Sequence, residues 1–329
     1  MIHSPRFAAF SGAIALSLLL SACGGGSSST TPAPVAFVPP PQLGANTSAP
    51  LASPGDAVPA PAFTGDTATD GYAQFNYRRQ QMGLAAVSRN GNINAAAQGH
   101  SNYQYVNDVI THVQTVGNPG FTGQEVLDRL TAAQYAFTDP AGYAYGEVIS
   151  ASGDLSGANN AEDLITAIYH RFVIFEPKFR EAGAAKVGVS RTGYNYFTVD
   201  FAANGLRGGV GPGQIGVYPF PGQSGVVTLF NNHQESPDPV PSQNGVGYPV
   251  SVHADIDAAL TVSQFSIQPR GRAALAVKLL SHATDAETPA SAAAIVPLTI
   301  LEPGTTYDVL FTGTVSGNNV SRVWSFTTR

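Results

Sequence analysis

Apolar positions recur at helical spacing in three stretches of the first two-thirds of the chain. Tyr72, Phe75 and Met82, with Arg79 among them, share one side of a helix predicted over 70–82, and Gly83 is its stop. Ile93, Ala96, Ala97, Tyr103 and Ile110 group on one side of a second helix over 92–109. His100 falls inside that apolar arc, which predicts a hydrogen-bonded core histidine. A third helix, from Ala161 to about Val173, presents Leu164, Ile165, Ile168, Tyr169 and Phe172 on one face. His170 then lies on the opposite face with Asp163, Thr166, Ala167 and Arg171, and Pro177 follows the helix end. Alternation replaces the helical period in Lys186–Ser190 and Tyr194–Phe201, two predicted strands joined by a turn at Gly193. Helices followed by a small antiparallel sheet make a layered α+β domain.

Beyond a glycine-rich hinge over 201–216, short β-type runs alternate with Pro, Gly and Asn: 225–230, 248–252, 260–265 and 273–280. The last two, Leu301–Val309 and Arg322–Thr328, resemble the close of a bacterial immunoglobulin-like domain, which implies a β-sandwich with Tyr307 and Trp324 as core anchors. His233, His253 and His282 share no spacing and are expected at the surface. Glu235-Ser236-Pro237-Asp238-Pro239 reads as a polar loop with no assigned chemistry.

The N-terminus changes the picture from a cytosolic to an exported chain. An apolar run from Phe7 to Leu20 is too short to span a bilayer and reads as a leader over 1–22. Leu20-Ser21-Ala22-Cys23 resembles a bacterial lipobox, which implies acylation of Cys23, the one cysteine in the chain, and anchoring to the membrane of the cell envelope. Residues 23–66 are rich in Gly, Ser, Thr, Pro and Ala and are expected to form a disordered tether. The 329 residues carry a net charge of −6 with no basic cluster, which argues against a nucleic-acid partner. No phosphate-cradling glycine motif, HExxH helix or Gly-x-Ser-x-Gly elbow is present.

The chemistry-bearing residues are His112 in Ile-Thr-His, Glu147 in Gly-Glu-Val-Ile and His170 in Tyr-His-Arg. Two imidazoles and a carboxylate can hold a divalent metal such as zinc, and they can equally form an acid–base set. Their spacing enforces neither. Taken with Phe75-Asn76-x-x-Arg79 ahead of Gly83-Leu84, and with Glu181-Ala-Gly before a strand, their order resembles the CAP superfamily in a cysteine-poor bacterial form. The resemblance covers about 70–203 and implies that the three residues meet in one central cleft, with Asp163 as a weaker fourth candidate.

The expected architecture is thus a CAP α-β-α sandwich over 67–205 followed by an all-β immunoglobulin-like sandwich over 206–329. The expected function is binding of a small ligand, a lipid among the candidates, or of a divalent cation. Two alternatives stay open. One is an envelope hydrolase of peptide or glycan working through an activated water, since no serine or cysteine nucleophile is marked. The other is adhesion through the immunoglobulin-like domain.

Overall fold

The computed structural model describes residues 2–3 and 50–329. The predicted leader beyond residue 3, Cys23 and the tether up to residue 49 lie outside these. Residues 50–66, assigned to the tether by composition, are laid against the folded body. Ser53 Oγ donates to the Gln81 carbonyl (2.5 Å), and the N–H groups of Thr64 and Gly65 donate to the Asp70 carboxylate (2.8 Å each). Prolines in this stretch leave the backbone little freedom to lose, so a few contacts suffice to order it.

Among the described residues, five α-helices and fourteen strands follow one another in an order that separates an α+β region from a β-rich one. The first region holds β1 (Ile2–His3), α1 (Thr67–Gln81), β2 (Ser88–Arg89), α2 (Gly91–Asn107), α3 (Val126–Ala132), β3 (Tyr143–Ser152), α4 (Gly157–Thr166), α5 (Ile168–Ile174), β4 (Glu181–Val187) and β5 (Asn195–Asn204). Its sheet runs in the order β1-β3-β5-β4-β2. Asp66 caps α1 by accepting from Thr69 N–H, and Asn90 caps α2 by accepting from Asn92 and Ile93 N–H.

β5 sorts its side chains by strand period. Phe197, Val199, Phe201 and Ala203 join a core with Phe75 of α1 and Leu164 and Ile165 of α4. Thr198 and Ala202 face the other way, where α2 and α3 pack. Each fully buried Phe or Leu in that core stabilises the fold by about 1.5–3 kcal/mol. α1 and α4 cross closely because Gly71 and Gly157 meet there; a Cβ on Gly157 would run into the Thr67 backbone.

Asn76 and Arg79 fix the exit of α1. Asn76 bonds both backbone groups of Val87 (2.8 and 3.0 Å), and the fully buried Arg79 guanidinium donates to the carbonyls of Ala85, Ile174, Glu176 and Phe179. The predicted 161–173 helix is two helices. At Ala167 the backbone is extended (φ −67°, ψ 116°), and α5 starts anew with its own axis.

The β-rich region comprises β6 (Gly216–Tyr218), β7 (Leu229–Phe230), β8 (Val246–Gly247), β9 (Val250–His253), β10 (Leu260–Pro269), β11 (Val277–Ser281), β12 (Ala292–Pro297), β13 (Thr306–Val315) and β14 (Asn318–Thr327). They form a three-stranded sheet, β10-β13-β14, a four-stranded sheet, β11-β12-β9-β6, and the small pair β7-β8. Tyr307 and Trp324 are buried, the latter donating from Nε1 to the Pro219 carbonyl (3.0 Å). His253, expected at the surface, is 1% exposed and packs edge-on against Phe172 and Phe175.

The two regions share a core. Phe175 and Phe179 sit in one apolar cluster with Tyr218, Val250 and Val252, and Ile168 and Phe172 sit in another with Phe230, Val246 and Val296. The glycine-rich hinge is tied down, since the Asp255 carboxylate accepts from Val210 and Gly211 N–H (2.7 and 3.1 Å). No helix among the described residues is long and apolar enough to cross a membrane.

Glu176 lies in this seam, accepting from Lys178 N–H (2.9 Å) and, across the regions, from Ile256 N–H (3.1 Å). Burial raises its carboxyl from an ordinary 4.5 to about 8, against the pull of those two N–H groups. Across that window the folded chain holds a proton that the unfolded chain has released, so stability falls as pH rises from 4.5 to about 8. Glu176→Gln keeps an oxygen acceptor and removes this slope. Its melting temperature relative to the parent is expected to climb steadily with pH through the window. Parallel melting curves for the two proteins would show that Glu176 is already ionised in the fold.

Candidate functional site

β3 and β5 place two acids side by side. Glu147 stands directly opposite Asp200 in the antiparallel register, on the face covered by α2 and α3, and both are buried. α3 brings Arg129 to them. Its Nη2 donates to Glu147 Oε2 (2.7 Å), and its Nη1 donates to the carbonyls of His112 (3.1 Å) and Gln124 (3.2 Å). On the other carboxylate oxygen, His112 Nδ1 donates to Glu147 Oε1 (2.8 Å).

Burial alone would raise the Glu147 carboxyl, but the Arg129 charge, with the His112 hydrogen bond, holds it well below the usual carboxylate range. Asp200 goes the other way. Burial, and then the Glu147 charge, push it well above its ordinary value, and a side-chain hydrogen bond with Glu147 adds to the rise. The two acids are thus pushed in opposite directions, and Glu147, with the Arg129 guanidinium on it, is the one the site favours as the anion.

His100 is the core histidine that its helical position predicts. It is fully buried, its Nε2 donates to the Thr111 carbonyl (2.7 Å), and its Nδ1 accepts from Gln114 Nε2 (3.0 Å). Burial lowers its pKa, which keeps the ring neutral. Its 3.7 Å approach to Glu147 is thus a neutral contact. Gln114 also accepts from Thr122 N–H (2.7 Å), and these bonds shape the loop that carries His112.

His112 and His170 line one cleft of about 400 Å³ at the junction of the two regions. His170 does not reach Glu147. Its Nδ1 donates to Glu235 Oε1 (3.1 Å), a carboxylate from the loop after β7. Each imidazole thus has Nδ1 tied to a buried carboxylate, and neither Nε2 has a hydrogen-bond partner among the described residues. Asp163 is exposed on α4 and is not part of the cleft wall. Tyr169, Phe172, Pro237, His282 and Glu287 contribute to that wall.

Of the residues singled out from the sequence, His112 and Glu147 touch, His170 shares the cleft with His112, Glu147 is buried behind it, and Asp163 stands apart. Arg129, Asp200 and Glu235 went unseen. Arg129 had a faint signal, since Glu125 and Asp128 flank the start of an apolar run and Glu125 N–H donates to Asp128 Oδ2 (3.0 Å) in the cap of α3. Among the described residues no group of three or more His, Cys, Asp or Glu side chains is arranged around a common metal position. Glu147 has one oxygen on His112 and the other on Arg129.

A sheet covered by helices on both faces, with a buried His–Glu–Arg cluster opening on a cleft, defines a class of α+β domain. Residues 72–201 match the family model of CAP, the cysteine-rich secretory protein family. The match describes this domain and does not extend to the β-rich region. No curated protein matches the chain. Among solved structures, an extracellular protein containing an SCP domain from Bacillus anthracis str. Ames is 20% identical, with 42% of this chain and 40% of that one covered and a TM-score of 0.34. An outer surface protein from Borrelia burgdorferi is 14% identical, with 43% of this chain and 96% of that one covered and a TM-score of 0.35. At these scores neither likeness adds to the family match.

Proposed function

We propose that the chain is an exported, lipid-anchored binding protein of the bacterial cell envelope, whose cleft takes a small ligand through His112 and His170, with a divalent cation such as zinc as its simplest occupant. The observation that carries this reading is the shared arrangement of the two rings. Each has a carboxylate behind Nδ1, the outer-shell support that metal-binding imidazoles ordinarily have, and an Nε2 without a hydrogen-bond partner among the described residues. Water or a ligand carboxylate would complete the coordination. The lipobox-like Cys23 supports export and anchoring. The β-rich region is read as immunoglobulin-like. Its support is the buried Tyr307, whose hydroxyl accepts from Glu302 N–H (2.8 Å) five residues upstream in the manner of a tyrosine corner.

The test is zinc titration of the full chain by calorimetry, beside His112→Ala/His170→Ala. The expected result is binding at micromolar dissociation constant or tighter, lost in the double variant. Absence of binding by the parent protein would remove the cation reading. A hydrolase reading rests on His112, whose carboxylate-backed ring can serve as a base toward a cleft water. It requires turnover of a peptide or glycan that His112→Ala abolishes.

A further inference from the structure

We infer that the cleft is a composite site in which Glu235, outside the CAP-matching segment, is the positioning residue for His170. The inference deepens the binding reading above and rests on it for its consequence in affinity. Glu235 is buried to 4% exposure and spends both oxygens on α5. Oε2 accepts from Ile168 N–H (2.9 Å), and Oε1 accepts from Tyr169 N–H (2.7 Å), His170 N–H (3.3 Å) and His170 Nδ1 (3.1 Å).

The first N–H groups of a helix have no partner within it. α5 opens on Ala167, which has no side chain able to cap, so its orphan donors depend on a group from elsewhere. Glu235 supplies that group and, in the same stroke, fixes the His170 ring. With Nδ1–H donated to the carboxylate, the neutral ring has its lone pair on Nε2, which has no hydrogen-bond partner among the described residues. A helix cap alone would not need a bond to the ring.

The β-rich region adds the far wall as well. Pro237 follows Glu235 closely, and His282 lines the cleft with its own Nδ1 donating to the Thr288 carbonyl (3.1 Å). Three imidazoles from separate segments thus present the same nitrogen arrangement around one space. Two of the three anchoring oxygens, those of Glu235 and Thr288, come from outside residues 72–201.

The experiment uses the full chain, ¹⁵N-labelled, as the parent and as Glu235→Gln and Glu235→Ala. Ring nitrogen correlations report the tautomer of each histidine, and His112 is the internal control. In the parent without metal, His170 is expected as the Nδ1–H tautomer. In Glu235→Ala it is expected to shift toward a mixed population while His112 does not move. Glu235→Gln retains an oxygen for the α5 N–H groups, so α5 amide protection should persist. Its zinc dissociation constant should nonetheless rise on the order of 10-fold or more, as for loss of an outer-shell partner.

An unchanged His170 tautomer in both variants would overturn the inference. Should Glu235→Ala fail to fold, Glu235→Gln decides by the separation of intact α5 protection from weakened zinc binding. The tautomer readout needs no metal, so a parent that binds no zinc ends the binding reading and still leaves the role of Glu235 to be decided by the ring.

Discussion

Arg129→Met is expected to cost about 3–5 kcal/mol of folding stability, as removal of one partner from a buried ion pair does. The methionine fills much of the same space, so the loss is electrostatic. Glu147 would keep its burial, its cross-strand neighbour Asp200 and its bond from His112, but lose the cation within 2.7 Å. The protonation pattern of the cluster depends on that cation, since burial alone favours neutral acids on both strands. The variant should therefore take up a proton at the Glu147–Asp200 pair, and His112 should lose the ionised acceptor behind Nδ1. Urea unfolding near neutral pH measures the loss. Adding Glu147→Gln to Arg129→Met should recover much of it, because a neutral pair of groups in the same space carries no stranded charge. A loss below about 1 kcal/mol for Arg129→Met would mean that the cluster is more hydrated than its geometry indicates.

The second large effect is expected at the seam. Arg171, placed by helix periodicity on the polar face of a single helix, is fully buried between the regions. Its Nε donates to the Ile165 carbonyl (2.5 Å) and its Nη1 to the Pro249 carbonyl (2.6 Å), while the guanidinium lies 5.2 and 4.8 Å from the ring centroids of Tyr218 and Tyr248. The Ile165 bond spans the break at Ala167, and the Pro249 bond joins α5 to the residue just before β9. Arg171→Ala would strand both carbonyls and open a cavity between the two tyrosines. Two orphaned carbonyls and the cavity together give a loss of at least about 4 kcal/mol. Hydrogen exchange should localise the damage, with faster exchange in α5 and β9 than in β13. Uniform exchange across both regions, with stability near that of the parent, would remove Arg171 as the pin between them.

Sequence periodicity reaches as far as local forces decide the outcome. α1 stops near Gly83 and β5 alternates as its pattern predicts, because each follows a period and a turn residue within its own segment. β12 escaped notice since Ala292-Ala-Ala-Ile-Val-Pro297 is buried along its whole length and shows neither alternation nor a strong β-former until Ile295. β3 is similar, with Gly146 and Glu147 in the middle of a strand that both faces bury. The break in the 161–173 helix has no local cause: neither Gly nor Pro occurs there, and Ala is a strong helix former. The partner that rewards breaking it lies 66 residues further on, in a loop that reads as featureless. The site divides in the same way. His112, Glu147 and His170 were visible through a resemblance, whereas Arg129, Asp200 and Glu235 have meaning only once strands pair and regions dock.

The docking of α5 has a bearing on modularity. The segment that resembles other proteins is not portable here as a unit, because it has delegated the start of one helix, several partners of one buried arginine and the acceptor behind one imidazole to the chain that follows. Shortening or lengthening the 205–215 connection, or exchanging the β-rich region for another of similar size, would alter the cleft without replacing a residue in the matching segment. In this protein the cleft wall is completed by both regions, and the boundary drawn by similarity falls inside it.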